Sequence, residues 1–93
     1  MIRWCVPQDR ELLWYEREGE AVVFNSASGR SHYLNALINE MLRYIEEAPR
    51  SAADIHGHLA GLMDGAEPDN FADRIGDILG SLALQGLIDP CRE

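Results

Sequence analysis

The sequence predicts an α+β domain: a three-stranded antiparallel sheet followed by, and packed on, three helices. Two patterns carry that expectation. Residues 12–34 hold short apolar and aromatic runs separated by turn residues, and residues 36–85 hold apolar side chains at helical spacing, interrupted at Pro49 and around Gly65. Size is the third observation. A chain of 93 residues is one domain, with 46% hydrophobic residues to fill one core. It should bury roughly 60–65% of the surface its unfolded form exposes, which leaves no room for a deep, enclosed active site as well.

The strands come first. Leu12-Leu13-Trp14-Tyr15 is an apolar run bounded by charges, giving a strand over Leu12–Glu16. Glu18-Gly19-Glu20 makes the first turn. Ala21-Val22-Val23-Phe24 is β-branched and aromatic, as strands prefer. Ser26-Ala27-Ser28-Gly29 is a turn cluster whose glycine supplies a positive φ. Arg30-Ser31-His32-Tyr33-Leu34 closes a hairpin over Ala21–Leu34. Two strands alone would be marginal in water, whereas three backed by helices are viable.

Three helices are expected over about 36–47, 52–63 and 69–85. Asn35 caps the first, Ile38, Met41, Leu42 and Ile45 form its apolar stripe, and Pro49 ends it. Ser51 and Asp54 hold the two positions of a capping box at the start of the second, with Ile55, Leu59, Leu62 and Met63 as its stripe. Gly57 and Gly61 weaken this helix by about 1 kcal/mol each relative to Ala, unless they permit close packing. A loop over Met63–Pro68 leads to the third helix, with Asp69 or Asn70 as cap and Asp73 near its positive end. Phe71, Ile75, Ile78, Leu79 and Leu82 make the clearest stripe in the chain. Gly86 stops the helix in the left-handed conformation, and Leu87-Ile88 packs back on the core.

Charge removes several classes of function. The chain has 16 Asp and Glu against 8 basic residues, all of them Arg, for a net charge of −8. Phosphate backbones and anionic membrane surfaces need clustered positive charge, so neither nucleic acid nor membrane is an expected partner. No apolar run approaches the roughly 20 residues of a membrane span. Met1–Glu18 is studded with charges and does not read as a signal peptide, which points to a cytoplasmic protein. Cys5 and Cys91 fit free thiols there, a disulfide clasp between the chain ends being the alternative.

No catalytic constellation stands out, and no cofactor or metal is expected. Asp54 and His58 share a helix face while His56 points elsewhere, and neither cysteine sits in a ligand pair. The helix histidines read as exposed polar residues and His32 as a single strand imidazole. The carboxylate pairs Glu46-Glu47, Asp73 with Asp77 and Glu16 with Glu18 read as solvating charge, because acid–base work requires burial that splits their pKa values. Gly76 and Gly80, four apart on the third helix, either mark a close approach or are merely tolerated. The strands offer another kind of site. A three-stranded sheet has two edges, and an edge can accept an extended peptide as an added strand. The last strand, with His32, Tyr33 and Leu34, is the candidate, and the third helix is long enough to wall a groove beside it.

In order along the chain, Leu34-Asn35 before a helix, Ser51-Ala52-Ala53-Asp54-Ile55 opening the next, and Leu82 to Ile88 closing on Gly86-Leu87-Ile88 resemble the PqqD family of peptide chaperones. Trp4, the Trp14 strand, and Val22-Val23-Phe24-Asn25 followed by Ser28-Gly29 are most similar to the PqqD-like branch associated with HPr-kinase-related gene systems. The resemblance spans about Trp4 to Asp89. It implies a winged-helix-like fold and a non-catalytic role: capture of the leader segment of a ribosomally made precursor peptide as an extra strand, and its presentation to a peptide-modifying enzyme of the same gene system. Carried to this chain, the peptide site comprises Arg30, Ser31, His32, Tyr33 and Leu34 on the strand, with Arg74, Asp77, Ile78 and Ser81 on the third helix. An acidic domain would suit a leader carrying Arg or Lys. Two other readings use the same elements: a structural module that homodimerises through the edge strand, and a winged-helix DNA binder. The latter is disfavoured because the second helix has no Arg or Lys and the third only Arg74.

Overall fold

The computed structural model describes residues 2–8, 11–63 and 68–91. The order of elements is β1 (Arg3–Cys5), β2 (Leu12–Arg17), β3 (Glu20–Asn25), β4 (Arg30–Leu34), α1 (Ala36–Glu47), β5 (Arg50–Ser51), α2 (Ala52–Met63), α3 (Phe71–Leu84) and β6 (Asp89–Cys91). The chain is α+β, with three helices and the expected three-stranded antiparallel sheet in the order β2-β3-β4. This arrangement is compatible with a winged-helix-like fold. A second small sheet, β5-β1-β6, was not expected from the sequence.

Turn chemistry fixes the larger sheet. Glu18 and Gly19 both have positive φ, 56° and 84°, as a two-residue turn between antiparallel strands requires. Glu20 therefore belongs to β3, opposite Arg17, and not to the turn. Between β3 and β4 the Gly29 N–H reaches the Asn25 carbonyl at 2.8 Å, with φ 74° at Gly29. Asn25 Oδ1 accepts the Ala27 N–H at 3.0 Å. Alternation then sorts the side chains. Ala21, Val23 and Asn25 of β3 and Leu34 of β4 are buried toward the helices, while Leu12 and Trp14 of β2 are half-buried on the same face.

The helix ends follow their residues. Asn35 Oδ1 accepts the Ile38 N–H at 2.9 Å. Ser51 Oγ accepts the Asp54 N–H at 3.1 Å, and Asp54 Oδ2 accepts the Ser51 N–H at 3.0 Å, so the capping box is reciprocal. Asp54 is held below its ordinary pKa chiefly by the bond from the Ser51 backbone and then by the Ser51 side chain. Asn70 takes the capping position of α3 without a side-chain cap bond. At the other end of α3, Gly86 has φ 78°, its N–H bonds to the Ala83 carbonyl, and the Leu87 N–H reaches back to Leu82, each at 3.0 Å. This pair of bonds is the Schellman closure, and it turns Leu87 and Ile88 into the core.

One core joins the sheet to the helices. Met41, Leu42 and Ile45 of α1, Ile55 and Leu59 of α2, and Phe71, Ile75, Leu79 and Leu82 of α3 are buried in one cluster with Val23, Leu34, Leu87 and Ile88. Ile38, Met63 and Ile78 sit at its margin, but Leu62 is exposed, against its place in the expected α2 stripe. Among the described residues nothing lies within 4 Å of a Cβ built on Gly57, Gly61, Gly76 or Gly80, so none of the four marks a close approach between described elements. Of the loop expected over Met63–Pro68, Met63 belongs to α2 and residues 64–67 lie outside the described residues.

The second sheet ties the chain ends together. β1 pairs antiparallel with both β5 and β6. Pro90 is tolerated in β6 because β6 is an edge. Cys5 lies opposite Asp89 and Cys91 opposite Arg3, so the thiols sit diagonally and are not bonded to each other. Strand pairing, and not a disulfide, is the terminal clasp. Among the described residues no helix is long and apolar enough to cross a membrane.

Candidate functional site

β4 is bonded to β3 on one side, and no described strand pairs with its other side. It is an open edge with alternating backbone donors and acceptors. Its side chains divide by parity. Arg30, His32 and Leu34 lie on the helix-facing side, where Leu34 is buried and His32 half-buried. The Nε2 atom of His32 is buried without a hydrogen-bond partner among the described residues. Ser31 and Tyr33 lie on the outer side and are exposed. The Tyr33 hydroxyl donates to the Glu20 carboxylate of β3. That bond, followed by lost hydration and the Glu20 charge, raises the Tyr33 pKa above its ordinary value.

The expected α3 residues form one strip. Arg74, Asp77 and Ser81 are exposed and Ile78 half-buried, at the 3, 4, 7 spacing of a single helix face. Among the described residues no bond joins this strip to β4, and α3 packs chiefly on α2. Its C-terminal turn is fixed to the sheet by Asn25, whose Nδ2 donates to the Gly86 carbonyl at 3.3 Å. Asn25 thus bonds both the turn that leads into β4 and the end of α3. On the other flank, the buried Asn39 of α1 donates to the Gly19 carbonyl at 2.9 Å and holds the β2–β3 turn.

The outer face of this sheet is apolar, a feature missed in the sequence. The register aligns Tyr15, Val22 and Tyr33 in one cross-strand row and Leu13, Phe24 and Ser31 in the next. Tyr15 is 68% exposed, Tyr33 64%, Leu13 51%, Val22 41% and Phe24 37%. Tyr15, Val22 and Tyr33 border a shallow depression of about 200 Å³, with Arg17 and Glu20 at its end. The available signal was Val22-Val23-Phe24, since a strand apolar at both parities is suited to cover on both faces.

Most of the remaining chemical candidates make structural contacts, while Glu18, Asp73 and Asp77 are exposed. His58 is half-buried, not exposed: it stacks on Tyr44 with ring centroids 3.9 Å apart, and its Nε2 lies 2.9 Å from Glu40 Oε1. The Tyr44 ring also carries the Arg50 guanidinium 3.8 Å from its centroid. His56 is half-buried beside Phe71, at 5.4 Å. Asp54 serves the helix cap. Glu16 binds Arg43, which stacks on Trp14, and Glu46 accepts the Trp14 indole N–H at 3.0 Å. Glu47 pairs with Arg50. No group of three His, Cys, Asp or Glu side chains suited to a metal occurs among the described residues.

No protein-family model, no curated protein and no solved structure matches the chain.

Proposed function

We propose that this domain is a non-catalytic peptide-binding adaptor. It captures the leader segment of a ribosomally made precursor peptide by strand addition to β4 and presents it to a peptide-modifying enzyme. The observation that supports this reading is the open edge of β4. A bound strand would gain main-chain hydrogen bonds from that edge. Its alternate side chains would fall beside Ser31 and Tyr33 on the outer side and beside His32 and Leu34 toward the helices. The resemblance of Leu34-Asn35, Ser51–Ile55 and Leu82–Ile88 to the PqqD family gives the same role, with Arg74, Asp77, Ile78 and Ser81 as the α3 contribution. The net charge of −8 favours a leader with Arg or Lys, through faster association and rejection of acidic peptides.

Calorimetric titration with synthetic leader segments of small peptides encoded beside the gene tests this. Saturable binding at micromolar Kd or tighter is expected. A leader carrying proline at alternate positions, which removes edge donors without touching the domain's own fold, should lose at least about tenfold in affinity in one of the two registers. Tyr33→Pro removes a donor from the open edge, because the register turns the Leu34 N–H toward β3 and the Tyr33 N–H away from it, and it should abolish binding, with circular dichroism confirming that the domain remains folded. Binding that ignores proline at every leader position, or no binding to any such leader, refutes strand addition.

A further inference from the structure

We propose that the outer face of the β2-β3-β4 sheet is the contact surface between two copies of this chain. The inner face is covered by helices, whereas the outer face carries five large apolar side chains with no covering element among the described residues. At roughly 150–250 Å² for a whole aromatic side chain, their exposed parts make an apolar patch on the order of 500 Å². Two such patches pressed together remove about 1,000 Å² from water, the size at which a specific interface begins. The contact is therefore expected to be modest in affinity.

Charge selects a second copy over a foreign partner. The outward-pointing charges of these strands are Arg17 and Glu20, one of each sign, opposite each other in the register. The β2–β3 turn adds Glu18 at the border of the depression, and four further acidic side chains, Glu47, Asp69, Asp73 and Asp77, are exposed on or beside the helices. Two bodies of charge −8 repel through their helices and approach at least cost through this sheet. A basic partner would be drawn to the helices. The face is also self-complementary. With a two-fold axis along β3, β2 of one copy lies across β4 of the other, and Tyr15 meets Tyr33 beside the depression over Val22. Sheets packed face to face stand about 10 Å apart, so the edge of β4 stays open and the contact does not depend on the peptide reading.

Sedimentation equilibrium of the full chain from about 10 μM to about 1 mM tests the contact. A monomer–dimer equilibrium is expected, and it should tighten as salt rises, because screening relieves the repulsion between the copies. Leu13→Glu with Tyr15→Glu, both exposed on β2 and away from β4, should raise the dimer Kd at least about tenfold while the circular dichroism spectrum is kept. The milder Tyr15→Ser should do the same to a lesser degree if the double variant fails to fold. A protein that stays monomeric at about 1 mM overturns the proposal. So does a dimer indifferent to both β2 variants, which would place the contact on the β4 edge or elsewhere.

Discussion

Replacing Asn25 with alanine should be among the most damaging single changes to this chain. The residue is 1% exposed and makes two bonds, accepting from the Ala27 N–H at 3.0 Å and donating to the Gly86 carbonyl at 3.3 Å. Each bond contributes about 1 kcal/mol net, and the lost side-chain volume adds roughly another, for about 2–4 kcal/mol in all. At about 4–8 °C per kcal/mol for a domain of this size, the melting temperature should fall by ~8–32 °C. Urea and thermal unfolding followed by circular dichroism would measure it. Asn25→Asp sharpens the test, because it keeps the acceptor for Ala27 and sets a carboxylate against the Gly86 carbonyl. Burial and that carbonyl raise the introduced carboxyl's folded pKa above its unfolded value of about 3.9. Its penalty is then absent below the unfolded value and grows as pH rises through it toward the folded value. Relative to the parent chain, this variant should be more stable near pH ~4 than near pH ~7. A cost below about 0.5 kcal/mol for Asn25→Ala, or a pH-independent cost for Asn25→Asp, would refute the bridging role.

Two other perturbations address single contacts. Ser51→Ala removes the α2 cap and should cost about 1 kcal/mol in urea unfolding. The partner carboxylate, Asp54, has a lowered folded pKa, so its contribution is present above the ordinary value of 3.8 and lost as pH falls through the folded value. In acid titrations Asp54→Ala should accordingly flatten the decline in stability below that ordinary value. Glu20→Gln should lower the Tyr33 pKa toward the ordinary 10.0, read from phenolate absorbance. An unchanged titration would show that Glu20 is not what holds the hydroxyl.

The helices, the hairpin and their caps were legible because each is encoded locally. The spacing of Phe71, Ile75, Leu79 and Leu82, the Ser51/Asp54 box and the Gly29 and Gly86 turns all act within a few residues. The β5-β1-β6 sheet was not legible. Its strands are two or three residues long, too short for alternation to register, and Trp4 meets Pro90 only through tertiary structure. The histidines failed for a related reason: nothing near His58 in sequence announces Tyr44 or Glu40. Within the candidate site, the edge position of β4 followed from counting strands. The apolar outer face did not, because Leu13, Tyr15, Val22, Phe24 and Tyr33 become neighbours only once the register is set.

The pairing of β1 with β6 has a kinetic consequence. Its partners stand as far apart along the chain as Arg3 and Cys91, whereas β2, β3 and β4 are joined by short turns. Hairpins of that kind close in roughly 1–10 μs, and long loops pay their closure entropy late. The β2-β3-β4 sheet with α1 is then the early-forming part of the molecule, with φ-values well above zero, and β1 and β6 should show φ near zero. Weakening Trp4 would speed unfolding while leaving the folding rate almost untouched. During synthesis β1 waits for its β6 partner until Asp89–Cys91 have been made, well after the residues of β2, β3 and β4.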